Sequence, residues 1–207
     1  MDLYLRSTDI IDWKTTAILK QARSLVENDS GPVRIAKICF EWVRDNISHS
    51  GDTKSSVTTC RASEVLASGT GWCFAKSHLL AALLRANSIP AGFCYQRLCR
   101  DDGNGFTLHG LNAVYLPEIG WYRIDARGNK VGVDAQFSPP LEKLAFLPKA
   151  EGEFDFPEIW PDPTDIVVEC LKKFEGWESV EKNLPDISLI RDPQNNFLHR
   201  TPNSRRL

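Results

Sequence analysis

Residues 71–86 read GWCFAKSHLLAALLRA, and the fold that we predict follows from this stretch. The spacing of its leucines is typical of a helix with a buried face, and a glycine-flanked loop precedes that helix. Cys73 therefore lies at the helix N-terminus, where unpaired N–H groups and the positive end of the helix dipole favour a thiolate. The same N–H groups can stabilise the oxyanion that forms when a thiolate attacks a carbonyl. This position indicates a nucleophilic cysteine.

Three stretches rich in β-branched and aromatic residues follow this helix, and turn signals separate them: 91–99, 106–116 and 121–126. They predict an antiparallel sheet, and residues 131–137 are a candidate for one further strand. Upstream, a 3.6-residue period predicts three helices: 13–28, 32–47 and 62–67. The predicted fold class is α+β, with N-terminal helices and the nucleophile helix packed on an antiparallel β-sheet.

A cysteine nucleophile needs a base, and two histidines are candidates. His78 is nearest in sequence, but five residues along a helix rotate its side chain about 140° away from Cys73. His109 is the better base, because a strand can present its ring to the end of a helix that packs on the sheet. Asp125, on the next predicted strand, can accept a hydrogen bond from the imidazole and orient it. The predicted catalytic residues are Cys73, His109 and Asp125.

The alternation of side chains along strands provides a test of this set. Pairing Tyr115 with Trp121 places Asp125 across from Leu111 and diagonal to His109 on the same face of the sheet. Asn112 lies three residues from His109 and therefore faces the other side. A Cys/His/Asp arrangement is predicted in preference to Cys/His/Asn.

The order Gly71-Trp72-Cys73, then His109 at the start of HGLNAVYL, then Asp125 within WYRIDARGN, resembles the bacterial transglutaminase-like family over roughly residues 10–137. The resemblance implies a papain-like core, in which a central helix bears the nucleophile and an antiparallel sheet bears the base and the orienting acid. The resemblance assigns a functional role only to Cys73, His109 and Asp125. No motif identifies a second oxyanion donor.

The predicted activity is cysteine-dependent acyl transfer on amide bonds through a thioacyl intermediate. Hydrolysis by a cysteine protease or amidase is favoured because nothing marks a dedicated amine site; protein-glutamine transamidation or deamidation is the alternative. A catalytically inactive binding module is an alternative from another class. A zinc site that uses Cys94 and Cys99 is a further alternative, but an odd separation on one strand sends these thiols to opposite faces. No metal or cofactor is expected.

Two residues beside the predicted site are candidate cleft or oxyanion neighbours. Trp72 either walls a cleft or fills the core. Arg127 is expected to be a surface arginine at a strand end, with an ion pair to Asp125 or to a substrate carboxylate as the alternative.

Composition limits the partners. The 25 Lys and Arg residues nearly balance the 27 Asp and Glu residues, so no net field favours nucleic acid or a membrane surface. The expected partner is a peptide, protein or other amide substrate, and the sequence does not indicate an oligomeric state. The N-terminus lacks the pattern of a secretion signal, and six irregularly spaced cysteines suggest reduced thiols, so we expect the cytoplasm.

A change in composition divides the chain. Residues 1–138 are the predicted catalytic core, and residues 139–207 are an extension that holds nine of the twelve prolines. Within the extension, DIVVECLKKF (165–174) and WESVEKN (177–183) predict short helices that wrap the core, and the polar tail 191–207 is expected to fray.

Overall fold

The computed structural model of the chain describes residues 1–27 and 31–187, so the predicted frayed tail over 191–207 lies outside the described residues. After a 3-10 turn, the helices are α1 (Thr16–Leu25), α2 (Pro32–Asn46), α3 (Ser50–Thr53), α4 (Ala62–Ser68), α5 (Cys73–Ala86), α6 (Asp165–Lys173) and α7 (Trp177–Lys182). The strands are β1 (Ser48–His49), β2 (Thr70–Gly71), β3 (Ala91–Cys99), β4 (Phe106–Leu116), β5 (Gly120–Ile124) and β6 (Phe154–Asp155). None of the helices in the described ranges has the length and apolar character needed to cross a membrane.

The main sheet is antiparallel and has the strand order β5-β4-β3-β6. In the β4–β5 hairpin, Tyr115 pairs with Trp121, as the alternation argument predicted. Helices fill the N-terminal part of the chain and the sheet follows, so the predicted α+β fold class is confirmed. The hairpin register continued by one residue past Ile124 places Asp125 beside Leu111.

Helix α5 occupies the centre of the molecule, and its residues from Cys73 to Arg85 are all buried. It contacts α1, α2 and α4 on one side and β3 and β4 on the other. Its two buried cations are satisfied by backbone carbonyls. Lys76 Nζ donates to Arg44 O and Ile47 O at the end of α2, and Arg85 donates to Ala91 O. Because the whole circumference of α5 is covered, the position of its N-terminus is fixed by its neighbours.

A short parallel pairing of β1 with β2 holds the loop that enters α5. His49 lies beside Gly71, and Thr59 Oγ1 donates to Thr70 O at 2.9 Å. Gly71 has no room for a side chain, since a Cβ atom there would lie 3.1 Å from Ala75 Cβ. The residues immediately before Cys73 are therefore anchored to a strand and to the body of α5.

The predicted strand over 131–137 is wrong. The backbone makes only isolated bridges there, Lys130 with Val133 and Gln136 with Lys143. In place of a paired strand, the side-chain amide of Asn129 satisfies the backbone here: it accepts a hydrogen bond from Ala135 N and donates one to Ala135 O. The first helix also starts later than predicted, at Thr16 after its N-cap Thr15.

Residues 139–187 pack onto both faces of the sheet region. The predicted helices in this part of the chain are confirmed as α6 and α7, which bury Val167, Leu171 and Val180 in the main core. Leu144 joins a second cluster with Cys94, Leu111 and Ala113. The division of the chain at residue 138 stays a prediction.

The approach of α5 to β4 depends on Gly110. A Cβ atom at this position would lie 2.6 Å from Phe74 Cδ1 and 3.4 Å from Phe74 Cα. We expect Gly110→Ala to push α5 away from the sheet and to lower the free energy of unfolding by about 1–3 kcal/mol, as urea unfolding would measure.

Gly31→Ala is the comparison variant: a Cβ atom at Gly31 meets nothing within 4 Å, so only the weaker cap of α2 lowers its stability, by less than at Gly110. Equal unfolding free energies for Gly110→Ala and the wild type would show that the packing of α5 on β4 does not need this close approach.

Candidate active site

Cys73 is the first residue of α5, after the N-cap Trp72, and 7 % of its surface is exposed. The β1–β2 pairing and the hydrogen bond from Thr59 to Thr70 O hold the backbone before Cys73. Ser77 Oγ donates to Cys73 O at 2.8 Å. The thiol therefore sits where the sequence placed it, at the N-terminus of a fourteen-residue helix. Free N–H groups of the first helical turn lie next to it.

His109 on β4 joins the other two predicted residues. Its Nε2 atom lies 2.8 Å from Asp125 Oδ2, and the Cys73 side chain is near enough to help raise the pKa of the ring. Strand β5 ends at Ile124, opposite Asn112, so the part of β4 that carries His109 has no β5 residue beside it. The end of α5 reaches the imidazole at this opening. His109 and Asp125 are hydrogen-bonded, and Cys73 lies near enough to His109 to interact with it electrostatically.

Asp125 is the most enclosed member of the site, with 1 % of its surface exposed. Besides His109, two backbone N–H groups donate to its carboxylate: Arg127 N to Oδ1 at 3.1 Å and Ala145 N to Oδ2 at 3.1 Å. A buried carboxylate with three donors is fixed in orientation, because each donor is lost if the group rotates. Asp125 therefore fixes the orientation of the His109 ring.

The electrostatics of the pair favour a charged imidazole. Burial opposes the charge, but the carboxylate of Asp125 and the negative charge of an ionised Cys73 outweigh burial and raise the pKa of His109 from 6.5 to about 10. Burial also opposes ionisation of Asp125, yet the charge of His109 and the donated hydrogen bonds hold the pKa of Asp125 below its usual value. The arrangement stabilises an imidazolium–carboxylate pair at His109 and Asp125.

The model of the Transglutaminase-like superfamily matches residues 20–126, which is more than half of the chain and includes all three residues. The chain belongs to the transglutaminase-like superfamily. Its papain-like, transglutaminase-type α+β core is the fold that the sequence predicted. No curated protein matches the sequence at a significant level.

Solved structures similar to this transglutaminase-like chain share little sequence with it. A candidate cysteine protease from Cytophaga hutchinsonii is 20 % identical, with a TM-score of 0.49, over 60 % of this chain and 40 % of that one. The periplasmic domain of TgpA from Pseudomonas aeruginosa is 20 % identical, with a TM-score of 0.40, over 52 % and 41 %. Red sea bream transglutaminase is 15 % identical, with a TM-score of 0.38, over 61 % and 26 %. The chain thus spans less than half the length of each.

The expectation of a surface position for Arg127 is wrong. Its side chain is buried, and both terminal nitrogens donate to the carboxylate of Asp52, one of them at 2.9 Å. Lys130 Nζ donates to the same carboxylate at 2.8 Å. Since Asp52 lies on α3, this ion pair fixes the backbone that donates to Asp125. Arg127 acts on Asp125 through its backbone N–H.

Trp72 belongs to the hydrophobic core. Only 5 % of its surface is exposed, and its ring meets the ring of His49 edge to face at 5.2 Å. His49 lies on β1 and is half-buried. Burial, followed by the charge of Arg127, lowers the pKa of His49 well below its ordinary value. His49 is therefore a neutral neighbour of the site.

The other candidate residues, His78, Cys94 and Cys99, make their contacts elsewhere in the protein. His78 Nδ1 lies 2.7 Å from Cys60 O and its ring packs on Phe93, while burial lowers the pKa of His78 to about 4. Cys94 is buried in the second cluster, whereas Cys99 is exposed. In the described part of the chain, no group of three or more His, Cys, Asp or Glu side chains is placed to hold a metal ion.

Sequence reasoning missed the C-terminal contribution to the site. Residues 141–147, which we call the strap, cross the face of the sheet that carries His109. Within the strap, Ala145 N donates to Asp125, and the Phe146 ring meets the His109 ring edge to face at 4.9 Å. The apolar run LAFL at residues 144–147, in a proline-rich segment, is a sequence signal of burial. It does not reveal what the backbone contacts.

Asp125→Asn removes the carboxylate charge that raises the pKa of His109. We expect the pKa of His109 to fall from about 10 towards 6.5, because the neutral amide no longer favours the imidazolium. NMR titration of isotope-labelled histidine measures the midpoint, with His109→Gln to assign the signal.

Cys73→Ala is the companion variant, and it should lower the same midpoint because it removes the other negative charge. An unchanged midpoint in Asp125→Asn would contradict the electrostatic coupling described above.

Proposed function

We propose that the protein is an enzyme that transfers acyl groups from amide bonds, with Cys73 as nucleophile, His109 as general base and acid, and Asp125 as the residue that orients His109. The observation that supports this proposal is one imidazole that bonds the Asp125 carboxylate at 2.8 Å through Nε2 and also interacts electrostatically with the Cys73 side chain. A thiol at a helix start beside a charged imidazole is an activated nucleophile.

The reaction begins when the Cys73 thiol gives its proton to His109. The thiolate attacks the carbonyl carbon of the amide, and the carbonyl oxygen takes the negative charge, which N–H groups at the start of α5 can stabilise. The C–N bond then breaks, and protonated His109 gives its proton to the departing nitrogen. The products of this half are a free amine and a thioester on Cys73.

The second half regenerates the thiol. A water molecule or an amine attacks the thioester carbonyl while neutral His109 takes its proton, the C–S bond breaks, and the proton returns to Cys73. Asp125 stabilises the imidazolium in both halves and holds the ring in place. The acceptor in this step decides between hydrolysis and transamidation.

We favour hydrolysis of a peptide or another amide, because the sequence marks no dedicated amine site. Attack by an amine on a thioester derived from a glutamine side chain would give protein cross-linking, and attack by water would give deamidation. A peptide library incubated with and without a primary amine separates these reactions by mass spectrometry. Cleaved peptides support the favoured activity, amine adducts or deamidated glutamine support the alternative, and no product in any arm counts against catalysis.

Cys73→Ala should lower turnover by at least about a thousandfold while the fold remains intact, because the nucleophile is lost and alanine fits the space of a cysteine. The measurement is product formation on the best peptide of the library, with circular dichroism to check the fold. Full activity of a folded Cys73→Ala variant would end the proposal.

Selective alkylation tests the proposal against the alternative of an inactive binding module, without a known substrate. Cys99 is exposed and provides an internal reference thiol in the same chain. At neutral pH we expect iodoacetamide to label Cys73 faster than Cys99, because His109 stabilises the Cys73 thiolate. Peptide mass spectrometry gives the ratio of the two rates. A ratio at or below one would favour the inactive module.

The cytoplasm remains our proposed compartment. All six cysteines are free, which suits a reducing environment. Cell fractionation of the full-length protein would test this point.

A further inference from the structure

Gln96 lies directly beside His109. The two residues are register partners on β3 and β4, so their side chains leave the same face of the sheet. The Gln96 side chain is completely buried. A buried amide on a strand interior loses solvation, and hydrogen bonds from the Gln96 NH2 group offset part of that cost, whereas Oε1 has no hydrogen-bond partner among the described residues.

The partners of Gln96 come from the C-terminal part of the chain. Its Nε2 atom donates to Phe146 O in the strap at 3.3 Å and to Asp155 Oδ1 in β6 at 2.9 Å. Both partners are acceptors, so they define which end of the amide is the NH2 group. One amide thus joins the strand that neighbours His109 to two points of the C-terminal segment.

Arg123 on β5 extends this set of contacts. Its NH1 donates to the same Asp155 oxygen at 2.7 Å, and its Nε and NH2 donate to Glu142 Oε2 at 3.0 and 2.8 Å. Glu142 belongs to the strap. The strap is therefore held at one end by Arg123 and near its other end by Gln96, with Asp155 bonded to both. We call these four side chains the clamp.

The clamp holds the two strap groups that act on the catalytic pair. Ala145 N donates to the carboxylate oxygen of Asp125 that also receives His109, and the Phe146 ring covers the His109 ring. Gln96 bonds the carbonyl of Phe146 itself, next to both groups. Loss of this bond would release the part of the strap that excludes water from the hydrogen bond between His109 and Asp125.

We propose that Gln96 is a positioning residue of the active site, which holds the strap over His109 and Asp125 and so keeps their hydrogen bond dry and aligned. This inference rests on the proposed function. Gln96 touches neither Cys73 nor the reacting carbonyl, and it acts through Phe146 and Ala145.

The pKa of His109 depends on the charged and titratable groups around it, so these groups must be known before a shift of its midpoint can be interpreted. Cys73 faces it from α5 and Asp125 faces it from the end of β5, while His49 on β1 is close enough to interact electrostatically. Arg127 lies behind Phe146, at 6.0 Å from the ring centroid. Gln96→Leu changes none of these groups. A shift of the His109 midpoint in that variant therefore reports water entry or movement of the strap.

The experiment compares wild type, Gln96→Leu, Gln96→Asn and the control Asn87→Ala in the full-length protein. Three quantities are measured: hydrogen exchange of peptides that cover the strap, the NMR midpoint of His109, and the ratio of Cys73 to Cys99 alkylation at pH 7. Gln96→Asn keeps a buried amide that is one methylene too short to reach the strap. Asn87→Ala removes the hydrogen bond that the Asn87 side-chain amide donates to Leu83 O, at the C-terminal end of α5.

In both Gln96 variants we expect faster exchange in the strap and a His109 midpoint about one pH unit lower. The alkylation ratio should fall about threefold or more, because water that enters under the strap weakens the electrostatic effect of the His109–Asp125 pair on the thiol. Asn87→Ala should match the wild type in all three measurements. If Gln96→Leu does not fold, Gln96→Asn is judged by the same criteria.

Two results would overturn the inference. Strap exchange like that of the wild type would show that Gln96 does not hold the strap, and faster exchange with an unchanged midpoint and ratio would make Gln96 only structural. Failure of the proposed function looks different, because the wild type itself would then show no preferential alkylation of Cys73.

Discussion

Asp125 imposes the constraint on which the rest of the site depends. A carboxylate with almost no exposed surface is unstable inside a protein unless donors surround it, since burial opposes its charge. The donors that satisfy it are an imidazole N–H and two backbone N–H groups. Each donor comes from a different part of the chain, so the fold must bring three segments together before the carboxylate can be ionised.

Each of these segments is held by contacts of its own. The backbone at Arg127 is fixed by the ion pair with Asp52 on α3, and the backbone at Ala145 is fixed within the strap. His109 is set by the register of the β3–β4 ladder. The C-terminal segment, which composition alone set apart at residue 138, therefore supplies a ligand of the orienting carboxylate. A hydrogen bond thus crosses the boundary that composition predicts.

Local patterns predicted the parts of the site that depend on local geometry. The glycine loop before a helix selected Cys73. Side-chain alternation, with Tyr115 paired to Trp121, selected His109 and Asp125. The missed contacts join residues far apart in sequence: Asp125 and Ala145 are separated by 20 residues, Gln96 and Phe146 by 50, and Asp52 and Arg127 by 75. Two of these use backbone groups, which carry no sequence signature. The strand predicted over 131–137 failed for a related reason, since side-chain amides can satisfy an extended backbone.

Burial keeps the thiols of four other cysteines protonated, whereas Cys73 has an imidazole beside it. Burial raises the pKa of the thiols of four cysteines to about 11 or 12, in the order Cys39 and Cys94 above Cys60 and Cys170. Such thiols stay protonated and unreactive at neutral pH. Cys73 is also largely buried, but it faces an imidazole whose charge Asp125 stabilises. The proposed reactivity of Cys73 therefore depends on the neighbours of the sulfur, and any change that admits water between His109 and Asp125 would weaken the electrostatic effect of that pair.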